Sequence, residues 1–496
     1  VNNLINSIKK VDWQYSINRQ EMILFNSITN YCYFSIFKKI TGINLHPRAC
    51  SFNNGDIFYS ASDLEKIKKH FSSPIMLDNF SKKLIKEIKK FEKLSQKLEK
   101  LNFNHKTKNH SYSSDALKKY NRKKIYRALK MFFNQALIAH SFLIPMVSAD
   151  KALSEMIIEK LPTNNLEQKN KWLKILVFPS KENEHLSEQA SFYKLVRNYK
   201  KKSFSKLVKN HLDRYAWIGA RSCNFDHYWR ENDITKRIEQ IKTEFKNSLQ
   251  PWKTIKQERK KILGQQIILL KKFKNQPAII KLAKLAQLFS YLRTWRTDVI
   301  YHAWFRVHKL FYETMLNANY GISDTRLVTF KELLEIIKTG KRIVPLKIIR
   351  KREKGSQMLS LGGKLIILTN TKHLRLIKRS TNINNKIING QVAFPGFLRG
   401  KAKVVITISD LKKINPGDIM VAVMTFPNFI PAMEKASAFI TDEGGILCHA
   451  AIIAREMKKP AIIATKEATK LINDNDLIEV DANKGVIKIL KNNIKD

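Results

Sequence analysis

The run Thr441-Asp-Glu-Gly-Gly-Ile-Leu-Cys-His449-Ala-Ala-Ile-Ile-Ala-Arg455-Glu constrains the chain more than any other stretch, because it reads as a strand, a tight turn and a helix in quick succession. Ser437 to Thr441 (Ser-Ala-Phe-Ile-Thr) is a short apolar strand, Gly444-Gly445 supplies the turn, and His449 to Lys458 has a helical pattern stopped by Pro460. The pattern puts His449 in the first turn of that helix. Unpaired backbone N–H groups and the positive end of the helix dipole gather there, which attracts an anion and disfavours an imidazolium. A histidine so placed stays neutral, as it must to attack a phosphorus atom, and sits where a charged adduct is tolerated. A lone histidine at a helix start more often only caps or packs, so the neighbouring residues decide.

Those neighbours resemble the phosphohistidine signature of the mobile, swivelling domain of phosphoenolpyruvate-utilising enzymes, the group holding phosphoenolpyruvate synthase, pyruvate phosphate dikinase and rifampicin phosphotransferase. Thr441, Gly444, Gly445, Cys448, His449, Ala450, Ala451, Ala454, Arg455, Glu456 and Pro460 fall on the family pattern. The resemblance runs from Gln391 to Leu490 through Ala393-Phe-Pro-Gly396, Arg399-Gly-Lys-Ala-Lys-Val-Val405, Gly417-Asp-Ile-Met-Val421 and Val480-Asp-Ala-Asn-Lys-Gly485. It implies that His449 is the phosphorylated residue and that Thr441, Gly444, Gly445, Cys448 and Arg455 belong to its phosphate surroundings. On a straight helix Arg455 lies about 120° around from His449, so it either meets the phosphate inside a partner's active site or pairs with a nearby carboxylate. Cys448 reads as a small packed thiol. No second Cys or His lies at ligand spacing, so no metal site is expected.

Around this motif, Lys401 to Ile406, Asp418 to Val423 and Ala461 to Ala464 read as strands, and Leu477 to Asp481 with Val486 to Leu490 as a hairpin across Ala-Asn-Lys-Gly. Ser409 to Ile414, Asn428 to Lys435 and Glu467 to Ile472 have helical composition. The expected fold class is therefore α plus α/β: a large, mostly helical region over residues 1–368, a polar linker over 369–390, and a β/β/α swivelling domain over 391–490.

Within 1–368 a small hairpin is expected at 49–60, short strands at Ile343 to Leu346 and Leu365 to Thr369, and helices at Asp78 to Asn102, Ala116 to Met146, Asp150 to Lys160, Ile234 to Ser248 and Trp252 to Lys274. From Leu282 onward, Leu285, Leu292 and Val299 share one seven-residue row and Leu282, Phe289, Ala303 and Leu310 the next. Arg296 and Arg306 sit on the same seam. A seam arginine needs a buried partner, with Asp298 and Glu313 in reach, or an acidic ligand, or must snorkel at the edge of the stripe. Both are candidates for binding an acceptor, and Trp295, Tyr301, Trp304 and His308 would line either a groove or the core. The region also resembles, through Arg214-Tyr-Ala-Trp-Ile218, the Arg293 to Arg306 helix and Leu327 to Leu333, the helical segment that precedes a swivelling domain in phosphoenolpyruvate-synthase-like and rifampicin-phosphotransferase-like proteins.

With 496 residues, 44% hydrophobic and 10% aromatic, the chain is a globular protein of several domains. The formal charge of +49 is spread along nearly every segment, accompanied by abundant Asn and Ile, and no zinc-finger, RNA-binding or Gly-Lys phosphate-loop pattern occurs. That argues against nucleic acid as the partner. Met131 to Val147 is interrupted by polar residues and Pro145, so no membrane span is expected. No signal-peptide pattern opens the chain, and Cys32, Cys50, Cys223 and Cys448 show no paired spacing. Reduced thiols in the cytoplasm are the simplest reading.

Neither a glycine-rich ATP-grasp lid nor acidic magnesium ligands are found before Asn384, and no phosphoenolpyruvate-binding barrel follows the swivelling domain. The resemblance then implies a transferase or kinase component whose ATP and magnesium lie on an ATP-grasp (PEP/pyruvate-binding type) domain or subunit, with a small-molecule acceptor and no cofactor on this chain. Three expectations follow: a separate charging polypeptide, a fragment lacking its front half, or a non-catalytic scaffold that keeps a swivelling domain.

Overall fold

A single helix, Pro277–Asn317, organises the first of two compact units, Val1–Ile377 and Lys378–Asp496. The computed structural model describes all residues except 1–7, 9, 19–21, 44–47, 53–55, 103–121, 221–224, 226–227, 245–248, 362–363, 370–386, 407, 426–428, 444–448 and 492–496. Proline at its start presets the first turn, and the heptad rows then bury Leu282, Leu285, Phe289, Leu292, Ala303 and Leu310. Apolar residues on more than one side make it a central helix, and it packs chiefly against Pro74–Asn102 and Leu143–Lys160.

Its middle is filled by Trp304, fully buried against Phe25, Phe132, Phe133 and Phe311. The Trp304 indole N–H donates to His140 Nε2 at 3.1 Å, and His140 Nδ1 lies 2.7 Å from Thr29 Oγ1. An indole can only donate, so Nε2 is an acceptor and the ring is a neutral imidazole with its hydrogen on Nδ1. Tyr301, Trp304 and His308 are core residues, which settles the groove-or-core question against a groove for these three.

Helix Arg122–His140 and helix Leu143–Lys160 divide what the periodicity suggested was one helix to Met146, with Ala116 to Asn121 outside the described residues. Pro145 explains the break: lacking an N–H, it fits only the first turn of a new helix. Ile343 to Leu346, expected as a strand, is not one. Pro345 instead caps the helix Leu346–Lys354, and the strand comes after it.

The strands of this unit are β1 (Trp13–Asn18), β2 (Arg48–Phe52), β3 (Asp56–Ser60), β4 (Ser356–Leu361) and β5 (Lys364–Leu368), all antiparallel in the order β1-β3-β2-β4-β5. The expected hairpin is β2–β3. It is closed into a sheet by β4, with Cys50 opposite Met358. Arg352 then locks this end, forking onto Glu332 with two 2.8 Å contacts and reaching the Leu327 carbonyl at 2.9 Å.

The second unit is one mixed sheet of β6 (Ile387–Asn389), β7 (Gln391–Phe394), β8 (Phe397–Val405), β9 (Ile419–Ala422), β10 (Ala438–Thr441), β11 (Ala461–Ile463), β12 (Leu477–Asp481) and β13 (Val486–Lys491), ordered β6-β13-β12-β8-β9-β10-β11-β7. β8 to β11 run parallel, and the others pair antiparallel at either end. β9, β10 and β11 are buried at every position, as parallel strands covered on both faces must be. One face packs Met420, Ala422 and Phe439 on Met433, Ala450 and Ala454 of the helices, and the other packs Ile419, Val421 and Ile440 on Ile478, Val480 and Ile487. The linker reading of 369–390 is corrected at its end, because the β-branched pair Ile387-Ile388 adds a strand to the outer edge of β13.

Among the described residues no helix is long and apolar enough to cross a membrane.

Candidate functional site

The parallel strands β8 to β11 all point their carboxyl ends to one edge of the sheet, the edge at which open α/β sheets hold ligands. From there β10 leads through Thr441 and Asp442 towards the helix His449–Glu456, whose first residue is His449. Strand and helix thus follow the order read from the sequence. Gly444, Gly445 and Cys448 lie outside the described residues, and so do the side chains of His449 and Arg455.

Small residues seat the helix. Ala450, Ala451 and Ala454 are buried beside Phe439 and Ala461, letting its backbone lie close on the sheet. It ends with Lys458 in the left-handed region at φ 51°, after which the Lys459 N–H reaches the Ala454 carbonyl at 3.0 Å. The Lys459 ammonium donates to the carbonyls of Met433, Glu434 and Ala436 and ties this segment to the helix Ile430–Lys435. Burial lowers its pKa, opposed by Glu434. Pro460 packs on Gly396, where a Cβ would stand 2.4 Å from its Cγ.

Thr441 is fully buried and donates its hydroxyl to the Glu443 carbonyl at 2.7 Å, so that hydrogen is committed to shaping the loop. Asp442 was not singled out by the sequence, yet it joins two loops. Its carboxylate accepts from Thr465 Oγ1 at 3.0 Å, from the Thr469 N–H at 3.1 Å and from the Thr469 hydroxyl. The donors lie 23 and 27 residues away, beyond any local signal.

Arg296 and Arg306 belong to the other unit. Arg296 is 4% exposed on the central helix, and Arg306 meets Glu99 Oε2 at 3.1 Å and Ser95 Oγ at 3.2 Å on Pro74–Asn102. Arg306 thus forms an ion pair across the helix seam to Glu99. Burial outweighs the attraction of Arg306 and leaves the Glu99 carboxyl raised. Among the described residues no group of three or more His, Cys, Asp or Glu side chains is placed to hold a metal.

Residues 414–485 match the family model described as PEP-utilising enzyme, mobile domain. The C-terminal unit carries that mobile domain. Curated relatives align over the same region. A probable phosphoenolpyruvate synthase of Archaeoglobus fulgidus is 37% identical over 135 residues, covering 25% of this chain and 18% of that protein. One from Methanothermobacter thermautotrophicus is 44% identical over 101 residues, 20% of this chain and 15% of that protein. The rifampicin phosphotransferase of Bacillus cereus is 31% identical over 183 residues, 37% of this chain and 20% of that protein. The chain thus spans a fifth or less of these relatives' length, and what it shares with them is the mobile domain and the segment before it.

Proposed function

We propose that this protein is a phosphotransferase component in which His449 carries a phosphoryl group from an ATP-grasp domain or subunit to a small-molecule acceptor. The observation that carries the reading is the mobile-domain match over 414–485 together with His449 as the first residue of a helix at the carboxyl edge of β10. In the first step a neutral imidazole nitrogen attacks a phosphorus of the nucleotide; the N–P bond forms as the P–O bond to the leaving phosphate breaks. In the second, an acceptor oxygen attacks the same phosphorus, and the imidazole leaves neutral once the acceptor proton is taken up.

Gly444, Gly445 and the helix start would cradle the phosphoryl oxygens through backbone N–H groups, and Arg455 would offset charge inside the partner's site. Thr441 would hold the loop through Glu443 and not donate to phosphate. ATP and magnesium belong to the partner, and the helical unit would present the acceptor in the cytoplasm. Because the mobile domain must visit two sites, the reading requires a hinge between it and the helical region, as the polar composition of 369–390 suggests.

The test is to incubate the full chain with an ATP-grasp domain of the phosphoenolpyruvate-synthase type, magnesium and ATP labelled in its β and γ phosphates. Acid-labile label is expected on the wild-type chain and absent from His449→Ala. Label that persists in that variant removes His449 from the mechanism.

A further inference from the structure

We propose that Ser191 is an activated nucleophile, with His211 as its base and Glu188 behind the base, and that it takes an acyl group from a carboxylic ester. The site lies within the first unit and is independent of the carrier role of His449.

Three helices bring the groups together. Glu184–Arg197, opened by the Asn183 carboxamide accepting from the Leu186 N–H at 2.9 Å, presents Glu188 and Ser191 three residues apart on one face. Phe204–Tyr215 supplies His211, and Glu231–Glu244 supplies Arg237. Phe192, Val196, Val208, Ile234 and Ile238 form an apolar core shared by the three. Glu188 and His211 are buried beside it, whereas Ser191 is only partly buried. An enclosed base and acid thus stand behind a serine at the surface.

Ser191 Oγ lies 2.9 Å from His211 Nδ1, and Glu188 Oε1 faces His211 Nε2 at 3.5 Å. The carboxylate decides which nitrogen carries the hydrogen. Burial pushes the Glu188 carboxyl up, but Arg237, at 2.6 Å through Nη1 and 3.4 Å through Nη2, and His211 outweigh it and hold it at about 2. An ionised carboxylate can only accept, so a buried lone pair on Nε2 pointing at it is unfavourable, and the hydrogen belongs on Nε2. Nδ1 is then the acceptor, and the Ser191 hydroxyl donates to it. This is the direction a serine nucleophile needs. Tyr215 and Phe192 flank the imidazole at 5.2 and 6.4 Å between ring centroids. Apolar side chains of similar volume often serve a core as well as a buried ion pair, so packing alone does not account for this arrangement. In the reaction the Oγ–C bond forms and the hydroxyl proton passes to Nδ1. The C–O bond to the alcohol then breaks as Nδ1 protonates the leaving oxygen. Water, deprotonated by the same nitrogen, releases the acyl group as a carboxylic acid. Glu188 stays ionised throughout, a positioning residue that stabilises the transient imidazolium.

A fluorescent fluorophosphonate tests the site in place of an ester: the Oγ–P bond forms as the P–F bond breaks, fluoride leaves and the proton goes to His211. The full chain is treated both native and unfolded in urea, and the labelled peptide is identified by mass. Native wild type should take the tag on Ser191 about 100-fold faster than the unfolded chain, and His211→Gln should lose most of that advantage. Ser191→Ala should carry no tag on this peptide. With 15N-labelled histidine, the resonances of His211, assigned by their loss in His211→Gln, should report hydrogen on Nε2. Glu188→Gln should move that hydrogen towards Nδ1 and slow the labelling, a tautomer change that a purely structural carboxylate would not cause. Three results each overturn the proposal: Ser191 labelled no faster in the native than in the unfolded chain, hydrogen on Nδ1 in wild type, or wild-type labelling in a folded His211→Gln. Should His211→Gln fail to fold, the native-to-unfolded ratio of wild type decides alone. None of these outcomes bears on His449.

Discussion

The carboxylate of Asp442 caps the helix Ala468–Leu471 from a distance in sequence: it accepts the N–H of Thr469, 27 residues on, at 3.1 Å and the Thr469 hydroxyl as well. Glu467, the residue at the N-cap of Ala468–Leu471, makes no side-chain cap of its own. One buried acid therefore does for a four-residue helix what its own sequence does not, and binds that helix to the loop leading to His449.

Replacing Asp442 with alanine would leave the hydroxyl of Thr465 and both donors of Thr469 without this acceptor in a buried setting. The expected loss is roughly 2–4 kcal/mol in the C-terminal unit. All seven tryptophans lie before residue 378, so their fluorescence reports the other unit. Hydrogen exchange of β10 and β11 is the appropriate measurement, and protection there should fall by a factor on the order of 100. Unchanged protection would show that Asp442 is not a structural tie.

Glycine substitutions should act with opposite signs at two nearby positions. Ala464→Gly removes a left-handed alanine and should stabilise the C-terminal unit by about 0.5–1 kcal/mol. Gly396→Ala would place a Cβ 2.4 Å from Pro460 Cγ at φ 147°, so Pro460 must shift and the end of the His449 helix with it. A loss of at least about 2 kcal/mol is expected. Exchange protection of β11 in the two variants decides the matter, and protection that changes in the same direction in both contradicts the argument.

The contrast between local and distant partners explains what could be read from sequence. The helix Pro277–Asn317 was legible because its rows of Leu, Phe and Val repeat every seven residues, and the hairpin β12–β13 because Asn483 to Gly485 mark its turn. Strand β1 was not. Trp13–Asn18 alternates Trp, Tyr and Ile with Gln, Ser and Asn, but is only six residues long and is held by pairing with β3, while β4 depends on β2 some 300 residues earlier. For the site, the strand and helix around His449 were legible from spacing, but the tie through Asp442, the left-handed Ala464 and Lys466 and the Arg306–Glu99 pair each depend on a tertiary neighbour that no local pattern names.

The fork between Arg352 and Glu332 should be among the most sensitive contacts of the helical unit. Burial pushes the Glu332 carboxyl up, but the two contacts to Arg352 and the N–H of Thr329 prevail and hold it below its ordinary value. Glu332→Ala removes the capping box of Phe330–Thr339 and leaves a buried guanidinium, with an expected loss of about 3–5 kcal/mol. Urea unfolding followed by tryptophan fluorescence should show the midpoint fall; a shift no larger than that of an exposed Glu→Ala control refutes it.

The same unit should lose stability in acid in two steps with different owners. Burial, with Arg306 adding to it, lowers the His302 pKa from 6.5 to about 3, while the ring lies flat against Trp217 at 4.9 Å. Below pH 6.5 the unfolded chain binds a proton that the folded chain refuses, so stability falls from 6.5 down to about 3. Glu188 is fully buried. Burial pushes its carboxyl up, but Arg237 at 2.6 Å and His211 outweigh this and hold it at about 2, below its ordinary 4.5. Its contribution is whole above pH 4.5 and is lost as pH falls towards 2, amounting to at most about 3 kcal/mol. His302→Phe, which keeps the stack on Trp217, should therefore flatten the stability profile between pH 6.5 and 4.5 and leave the lower limb intact. Glu188→Gln should do the reverse, and should also lower stability at neutral pH because Arg237 loses its charge partner. Urea midpoints read by tryptophan fluorescence at half-unit intervals test both limbs, and an upper limb as steep in His302→Phe as in wild type would show that a different group refuses the proton.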